Sequence, residues 1–373
     1  MLNEKRLLDE FLELVQIDSP SKHERKIADV LTKKFTELGL DVFEDDTAKT
    51  TGFGAGNLIC LLKGNADAAP TILLNCHMDT VEPGKGVKPA IKDGYVVSDG
   101  TTILGADDKA GIAAILEVIR VLKEGNLSHG DVQILVTVGE EIELTGVCAL
   151  DQSLLKAKYG YALDTGGKVG NIKSSAPARG TITVDIYGKS AHAGVAPEAG
   201  VSAIAVAAHA VANMPLGRID DETTANIGTF VGKGALNVVV DHVRVEAEAR
   251  SFDNHKLEVQ LNKMKEAFEK SASLMSGRVE VVISNSFPSF KLTDNEEVVE
   301  IAKRAAATIG RTCETFAAGG GSDANIINGY GIPMAVLACG YEEIHTTNEK
   351  ISVVELNKLV EVTLAIISLS AKE

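Results

Sequence analysis

Apolar residues recur at helical spacing over 4–17 and again over 21–38, with Ser19 or Ser21 placed to cap the second helix. Beyond residue 50 the period changes. NLICLL (57–62), TILLNC (71–76), QILVTV (133–138), YGYALD (159–164) and PMAVLA (333–338) are short and mostly apolar on both faces. Helical patterns over 109–124 and 145–157 fall between several of them. Strands buried on both faces and separated by helices predict a mainly parallel sheet covered by helices.

The middle of the chain follows another rule. From about Gly180 the pattern alternates as a half-buried strand does, in ITVDIYG. An Ala- and Val-rich helix is predicted at 200–213, strands near 224–231 and 238–250, a helix over 254–273, and a last strand, RVEVVIS, ending near 284. The order β-α-β-β-α-β is that of a split βαβ (ferredoxin-like) α+β sandwich. The first pattern resumes with helices at 294–309 and 352–371. The expected fold is therefore α/β, with a discontinuous catalytic domain (1–175 and 287–373) and an inserted lid domain (176–286).

The chain has 373 residues, enough for two cores, and a formal net charge of -15. An acidic surface repels phosphate backbones, so no nucleic-acid partner is expected. The five cysteines, Cys60, Cys76, Cys148, Cys313 and Cys339, form no CxxC pair. Their mostly apolar surroundings suit reduced thiols. The N-terminus is charged and carries no apolar signal core, and no apolar run approaches a membrane span. A cytoplasmic location without a membrane anchor is expected.

The polar residues that break these patterns collect just past strand ends. NCHMDT carries His77 and Asp79, TVGEE carries Glu140 and Glu141, YALD ends on Asp164, and IHTTNE carries His345. GADDKAG places Asp107 and Asp108 at the start of the 109–124 helix. Singly, each suits an ordinary role: a turn aspartate, an N-terminal capping pair, a solvated acidic loop, a structural histidine. Together they predict one cleft at the carboxyl edge of a parallel sheet. Imidazoles and carboxylates without thiolates suit catalytic zinc, with manganese or cobalt as substitutes. The set is too large for one tetrahedral catalytic ion and suits two ions bridged by a carboxylate and a water.

The ordered motifs HMDT, GADDKAG, GEE, YALD and IHTTNE resemble those of the dizinc exopeptidases of the peptidase T type. These belong to a wider family that includes glutamate-releasing carboxypeptidases, aminoacylases and a desuccinylase. The resemblance implies an exopeptidase acting on a terminal bond of short peptides with two Zn2+ per chain. Asp107 would bridge the ions, His77 and Asp164 would hold one, and Glu141 and His345 the other. The peptide bond after Asp107 is often cis in the family. Asp79 would hold the far nitrogen of His77, and Glu140 would be the general base. In the lid, His192 of GKSAHAG would stabilise the oxyanion, often across a homodimer formed through the lid. Asn237 of LNVVVD and Arg250 of EARSFD would bind substrate, Arg250 by gripping a carboxylate. Gly320 and Ser322 of GGGSDA would cradle a carboxylate or a backbone amide. Tripeptidases often have an arginine where Gly319 stands and a threonine where Ser322 stands, and a longer segment between Asp79 and Asp107. The motifs thus define the chemistry and leave the substrate open. An N-acyl amino acid amidohydrolase or a carboxypeptidase would use the same metal site, and a silent peptide-binding scaffold would have lost part of it.

Overall fold

The computed structural model describes residues 1–66 and 68–372, which form two compact units. The first comprises Met1–Ser175, Leu292–Ala318 and the chain from Ser322 onward; the second comprises Ala176–Lys291 with Gly319–Gly321.

Four parallel strands form the centre of the first unit's sheet, in the spatial order Val132–Thr137, Ile72–His77, Tyr159–Thr165, Met334–Ala338. Leu58–Leu62 and then Asp41–Glu44 continue it antiparallel on one side, and Ile172–Ala176 antiparallel on the other. Val132–Thr137 and Ile72–His77 are buried at every position. The helix Ala106–Gly125 packs on Ile72–His77 and Tyr159–Thr165, while Glu297–Thr308 and Asp323–Gly329 pack on Tyr159–Thr165 and Met334–Ala338. Strands covered in this way have no solvent face to mark with polar residues, hence the continuous apolar runs.

In the second unit the long strands lie in the order Thr223–Val231, His242–Ser251, Ala178–Tyr187, Arg278–Phe287, all antiparallel. With the helices Ala203–Ala212 and Asn254–Leu274 this is the split βαβ arrangement. Ala178–Tyr187 alternates strictly between buried and half-buried positions. Its inward Ile182, Val184 and Ile186 join Val206, Ala210, Leu261, Met264 and Phe268 in one core.

Several local expectations need correction. The helix expected at 145–157 is a short helix, Thr145–Ala149, followed by a 3-10 turn, Gln152–Leu154. Leu150 between them is extended, and the Asp151 side chain caps the turn. Neither Ser19 nor Ser21 caps the second helix: Glu24 takes that position ahead of Arg25–Glu37, and the Ser21 hydroxyl donates to Asp79 instead. The strand expected from 238 begins at His242. A small antiparallel sheet of Ala90–Lys92, Tyr95–Val97, Lys350–Ser352 and Tyr341–Glu342 is not foreshadowed by the hydrophobic pattern, because its strands are two or three residues long. Among the described residues no helix is long and apolar enough to cross a membrane.

Candidate metal centre

Strand direction gathers the acidic and imidazole groups of the first unit. Asn75 and Ala162 are register partners. His77 and Asp164, two residues further along each strand, therefore emerge on the same face. The next strand, Val132–Thr137, runs parallel to these and leads to Gly139, whose φ is +59°. A Cβ on Gly139 would lie 2.4 Å from Phe53 Cε2, so the turn that launches Glu140 and Glu141 requires glycine on both counts. The Asp79 carboxylate fixes that turn by accepting the N–H groups of Glu140 (3.0 Å) and Glu141 (3.3 Å), together with the Ser21 hydroxyl (2.6 Å).

Asp107 and Asp108 stand just ahead of the regular part of their helix, with non-helical backbone and a cis peptide bond between them. Gly111 lets this helix approach the strand that carries Asp164; a Cβ there would be 2.8 Å from the Leu163 carbonyl oxygen. The fifth contributor, His345, lies in the segment between Tyr341–Glu342 and Lys350–Ser352, in the left-handed region at φ +61°.

His77 Nδ1 is 3.0 Å from the Asp79 carbonyl oxygen and 3.5 Å from its carboxylate. The hold on the far nitrogen expected of the Asp79 side chain is thus made more closely by its backbone. Nε2 then faces Asp107 Oδ1 at 3.1 Å and Asp164 Oδ1 at 3.8 Å. His345 Nε2 lies 3.0 Å from Glu141 Oε1 and 3.5 Å from Asp107 Oδ2. Two groups result, His77–Asp107–Asp164 and Asp107–Glu141–His345, each with donor atoms within 4.8 Å of one another. They share Asp107, one carboxylate oxygen towards each imidazole. Glu140 meets the same criterion with His77 and Glu141, so its carboxylate lies beside both groups.

So many acids in a buried place raise one another's proton affinity. Burial, reinforced by Asp164, pushes Glu140 well above the usual carboxylate range. Burial and Asp107 push Asp164 up to about 8. Burial also acts on Asp107, but the imidazoles of His345 and His77 more than offset it and lower its pKa. The carboxylates of Asp107 and Glu141 raise His345 to about 10. Burial opposes protonation of His77, yet Asp107 and Asp79 outweigh it and raise its pKa well above the ordinary imidazole value. Multiply charged cations are what such a cluster is suited to hold.

Several residues that support this place were not found by sequence reasoning. Asp323 is buried and accepts from Asn75 Nδ2 (3.1 Å) and Thr137 Oγ1, behind the strands that end at His77 and lead to Glu140. Lys173 is only 3 % exposed. It is the register partner of Val336, itself the partner of Ala162, which puts Lys173 on the face that carries Asp164. Tyr341 donates its hydroxyl to Asp164 Oδ1 at 3.3 Å. Glu349 receives three backbone N–H groups around Asp107. The available signal was position: Asp323 lies inside GGGSDA, Tyr341 just after PMAVLACG, and Glu349 four residues after His345.

The substrate-binding candidates divide between the two units. Ser322 belongs to the first unit, is buried, and donates its backbone N–H to Asn325 Oδ1 (3.0 Å) at the start of Asp323–Gly329, a capping arrangement. His192, Asn237, Arg250 and Gly320 belong to the second unit. His192 and Asn237 are exposed neighbours: His192 bridges to Val238, and Ala193 N donates to the Asn237 carbonyl at 2.9 Å. Arg250 is engaged by Glu248 and by the Gly319 carbonyl (2.9 Å), next to exposed Gly320. Arg250 pairs with Arg179 at one end of the sheet, whereas Tyr187, ahead of His192, pairs with His242 at the other. The two ends are roughly 25 Å apart at strand rise.

Comparison with known proteins gives the family. The chain matches the peptidase family M20/M25/M40 over residues 73–369. It is 58% identical to the protein YqjE of Bacillus subtilis (strain 168) over 372 residues, covering 100% of both chains. Its structure is similar to that of an aminopeptidase PepT from Bacillus cereus ATCC 10987 (59% identity, TM-score 0.94, 100% of both chains). It is also similar to that of a tripeptidase from Staphylococcus aureus (49% identity, TM-score 0.97, 100% of both chains). The protein is a metallopeptidase. More specifically, it belongs to peptidase family M20/M25/M40 and is peptidase T-like.

Proposed function

We propose that this metallopeptidase is a two-zinc exopeptidase that cleaves a terminal bond of short peptides. The observation that carries the reading is the pair of donor groups that share Asp107, with Glu140 beside both. The donor set fits divalent ions: imidazole Nε2 atoms face carboxylate oxygens at 3.0–3.8 Å, and neutralising cations would relieve the crowding of buried acids. His77, Asp107 and Asp164 would hold one ion, and Asp107, Glu141 and His345 the other. Two such ions supply polarisation of the scissile carbonyl and acidification of water.

The chain's own groups do the rest. Asp107 presents one oxygen to each group and sets their spacing. The Asp79 carbonyl orients the His77 ring, while its carboxylate fixes the direction in which Glu140 and Glu141 leave their turn. Glu140, outside the two ligand groups, takes a proton on its carboxylate and returns it to the leaving amine.

In the lid, Arg250 and the Gly319–Gly321 loop are proposed to receive the substrate's carboxylate or backbone. Arg250 would have to exchange its present partners for the ligand. His192 lies at the far end of the same sheet, so it and Arg250 cannot serve one short peptide together. This supports a homodimer in which His192 completes the site of the other copy. Similarity to the B. cereus aminopeptidase and the S. aureus tripeptidase supports release of amino-terminal residues and short substrates.

A digest of a peptide library, with mass-spectrometric reading of products, tests the reading. Release of terminal residues from unblocked di- to tetrapeptides, abolished by chelation, is expected. Cleavage of N-acetyl amino acids in place of free peptides would establish an amidohydrolase instead.

A further inference from the structure

Glu349 is 1 % exposed and none of the steps above uses it. Its carboxylate accepts the N–H groups of Leu104 (2.8 Å) and Gly105 (2.7 Å) on one oxygen and that of Asp107 (3.0 Å) on the other. These donors belong to the turn that delivers Asp107. Glu349 itself closes the segment that delivers His345. In that segment Glu343 (φ +54°) and His345 (φ +61°) both occupy the left-handed region, which is uncommon for non-glycine residues. Thr346 ties the segment together, its hydroxyl donating to the Glu343 carbonyl at 2.7 Å and its carbonyl accepting from Glu349 N at 3.2 Å. Immediately afterwards Lys350–Ser352 pairs with Tyr95–Val97. One buried side chain thus joins the two loops whose ends are Asp107 and His345.

We propose that Glu349 is a positioning residue that sets the separation of Asp107 and His345, and so the affinity of the Asp107–Glu141–His345 group for a divalent cation. The inference rests on the two-ion reading. The number of donors explains why a carboxylate stands here. Three N–H groups converge on two oxygens, and glutamine would turn an amide N–H2 towards at least one of them. Leaving a buried N–H unanswered is unfavourable, so the loop shifts to find another acceptor. The His345 group takes two of its three ligands from the joined loops. The His77 group takes only Asp107 from them, with His77 and Asp164 fixed on strands. The two groups should therefore respond unequally.

The experiment is a calorimetric Zn2+ titration, with a competing chelator, of the full chain as wild type, Glu349→Gln and Glu349→Ala. Thermal melts of each metal-free protein accompany it. Wild type is expected to bind two ions. Glu349→Gln should weaken one site by about 10–100-fold, as loss of a group that orients a ligand typically does. The other site should stay within a few-fold, and the metal-free melt should remain cooperative. Glu349→Ala should weaken the same site further. Equal weakening of both sites, unchanged affinity in both variants, or loss of the cooperative melt in both would overturn the inference; the last would show that Glu349 holds the fold and not the site. A wild type that binds no zinc would overturn the two-ion reading itself, and the inference with it.

Discussion

The two sheets of this chain are built by opposite rules, and only one of them gathers chemistry. In the first unit the central strands run parallel, so the residues that follow them all emerge at one edge. His77, Glu140, Glu141 and Asp164 meet there because their strands share a direction. In the second unit every neighbour is antiparallel, and strand ends alternate between two edges. Arg250 and His192 accordingly finish at opposite ends of the same sheet. Burial differs in parallel: both faces are covered in the first, one in the second. The first sheet can enclose a cluster of charges away from water, while the second presents single residues on a surface.

The largest effect expected from this contrast is at Glu140. Glu140→Gln should lower turnover by about 10²–10⁴-fold or more, because both proton transfers fail, while both ions and the fold remain. Glu141→Gln should lose metal first and recover partly with added zinc. Turnover assays paired with metal analysis separate the two. If Glu140→Gln emptied the site while Glu141→Gln kept its metal, the roles would be reversed.

Next in size is a test of the second unit's core. Phe268 is fully buried against Leu261 and Met264, and Phe268→Ala should lower stability by about 3–5 kcal/mol, read by denaturant unfolding. Metal stoichiometry below the transition should not change, since none of the five proposed ligands lies in that unit.

A smaller effect is expected at Glu24, buried behind the Asp79 turn. Burial raises its pKa from the usual value to about 7. Its folded pKa thus exceeds its unfolded one, so its contribution is full below about 4.5 and is lost as pH rises through about 7. Thermal melts of Glu24→Gln against wild type should show the difference moving in the variant's favour between pH 5 and 8. A difference independent of pH would contradict the shift.

The smallest effect belongs to the exposed face of the second sheet. Arg244 and Asp185 pair there at 3.1 Å in contact with solvent. Arg244→Ala should leave stability almost unchanged, with any small loss disappearing in high salt.

The contrast also shows why some features were legible in the sequence. Unbroken apolar runs announced the parallel strands, and alternation from Gly180 announced the half-buried sheet, because each pattern records directly which faces meet water. The metal candidates were legible because acids and imidazoles seldom fall just past the ends of several apolar runs by chance. Glu349 and Asp323 were not, since a glutamate that accepts backbone N–H groups looks like any other acid until the loops around it are placed. The small sheet around Tyr95 and Ile351 escaped for a related reason: the pairing that joins its two halves links residues about 250 positions apart, in segments too short to show a period. The 145–157 helix was overestimated because Val147, Leu150 and Leu154 have helical spacing, whereas Leu150 is extended.

Five residues of the first unit are proposed to hold two ions, and metal counting tests this most directly. Elemental analysis of the purified chain after dialysis against trace zinc should give two ions per chain in wild type and in Glu140→Gln. Asp107→Asn should fall further than either His77→Ala or His345→Ala, because both groups share Asp107. A chain that carries no metal, with peptide hydrolysis indifferent to chelators, would contradict the account.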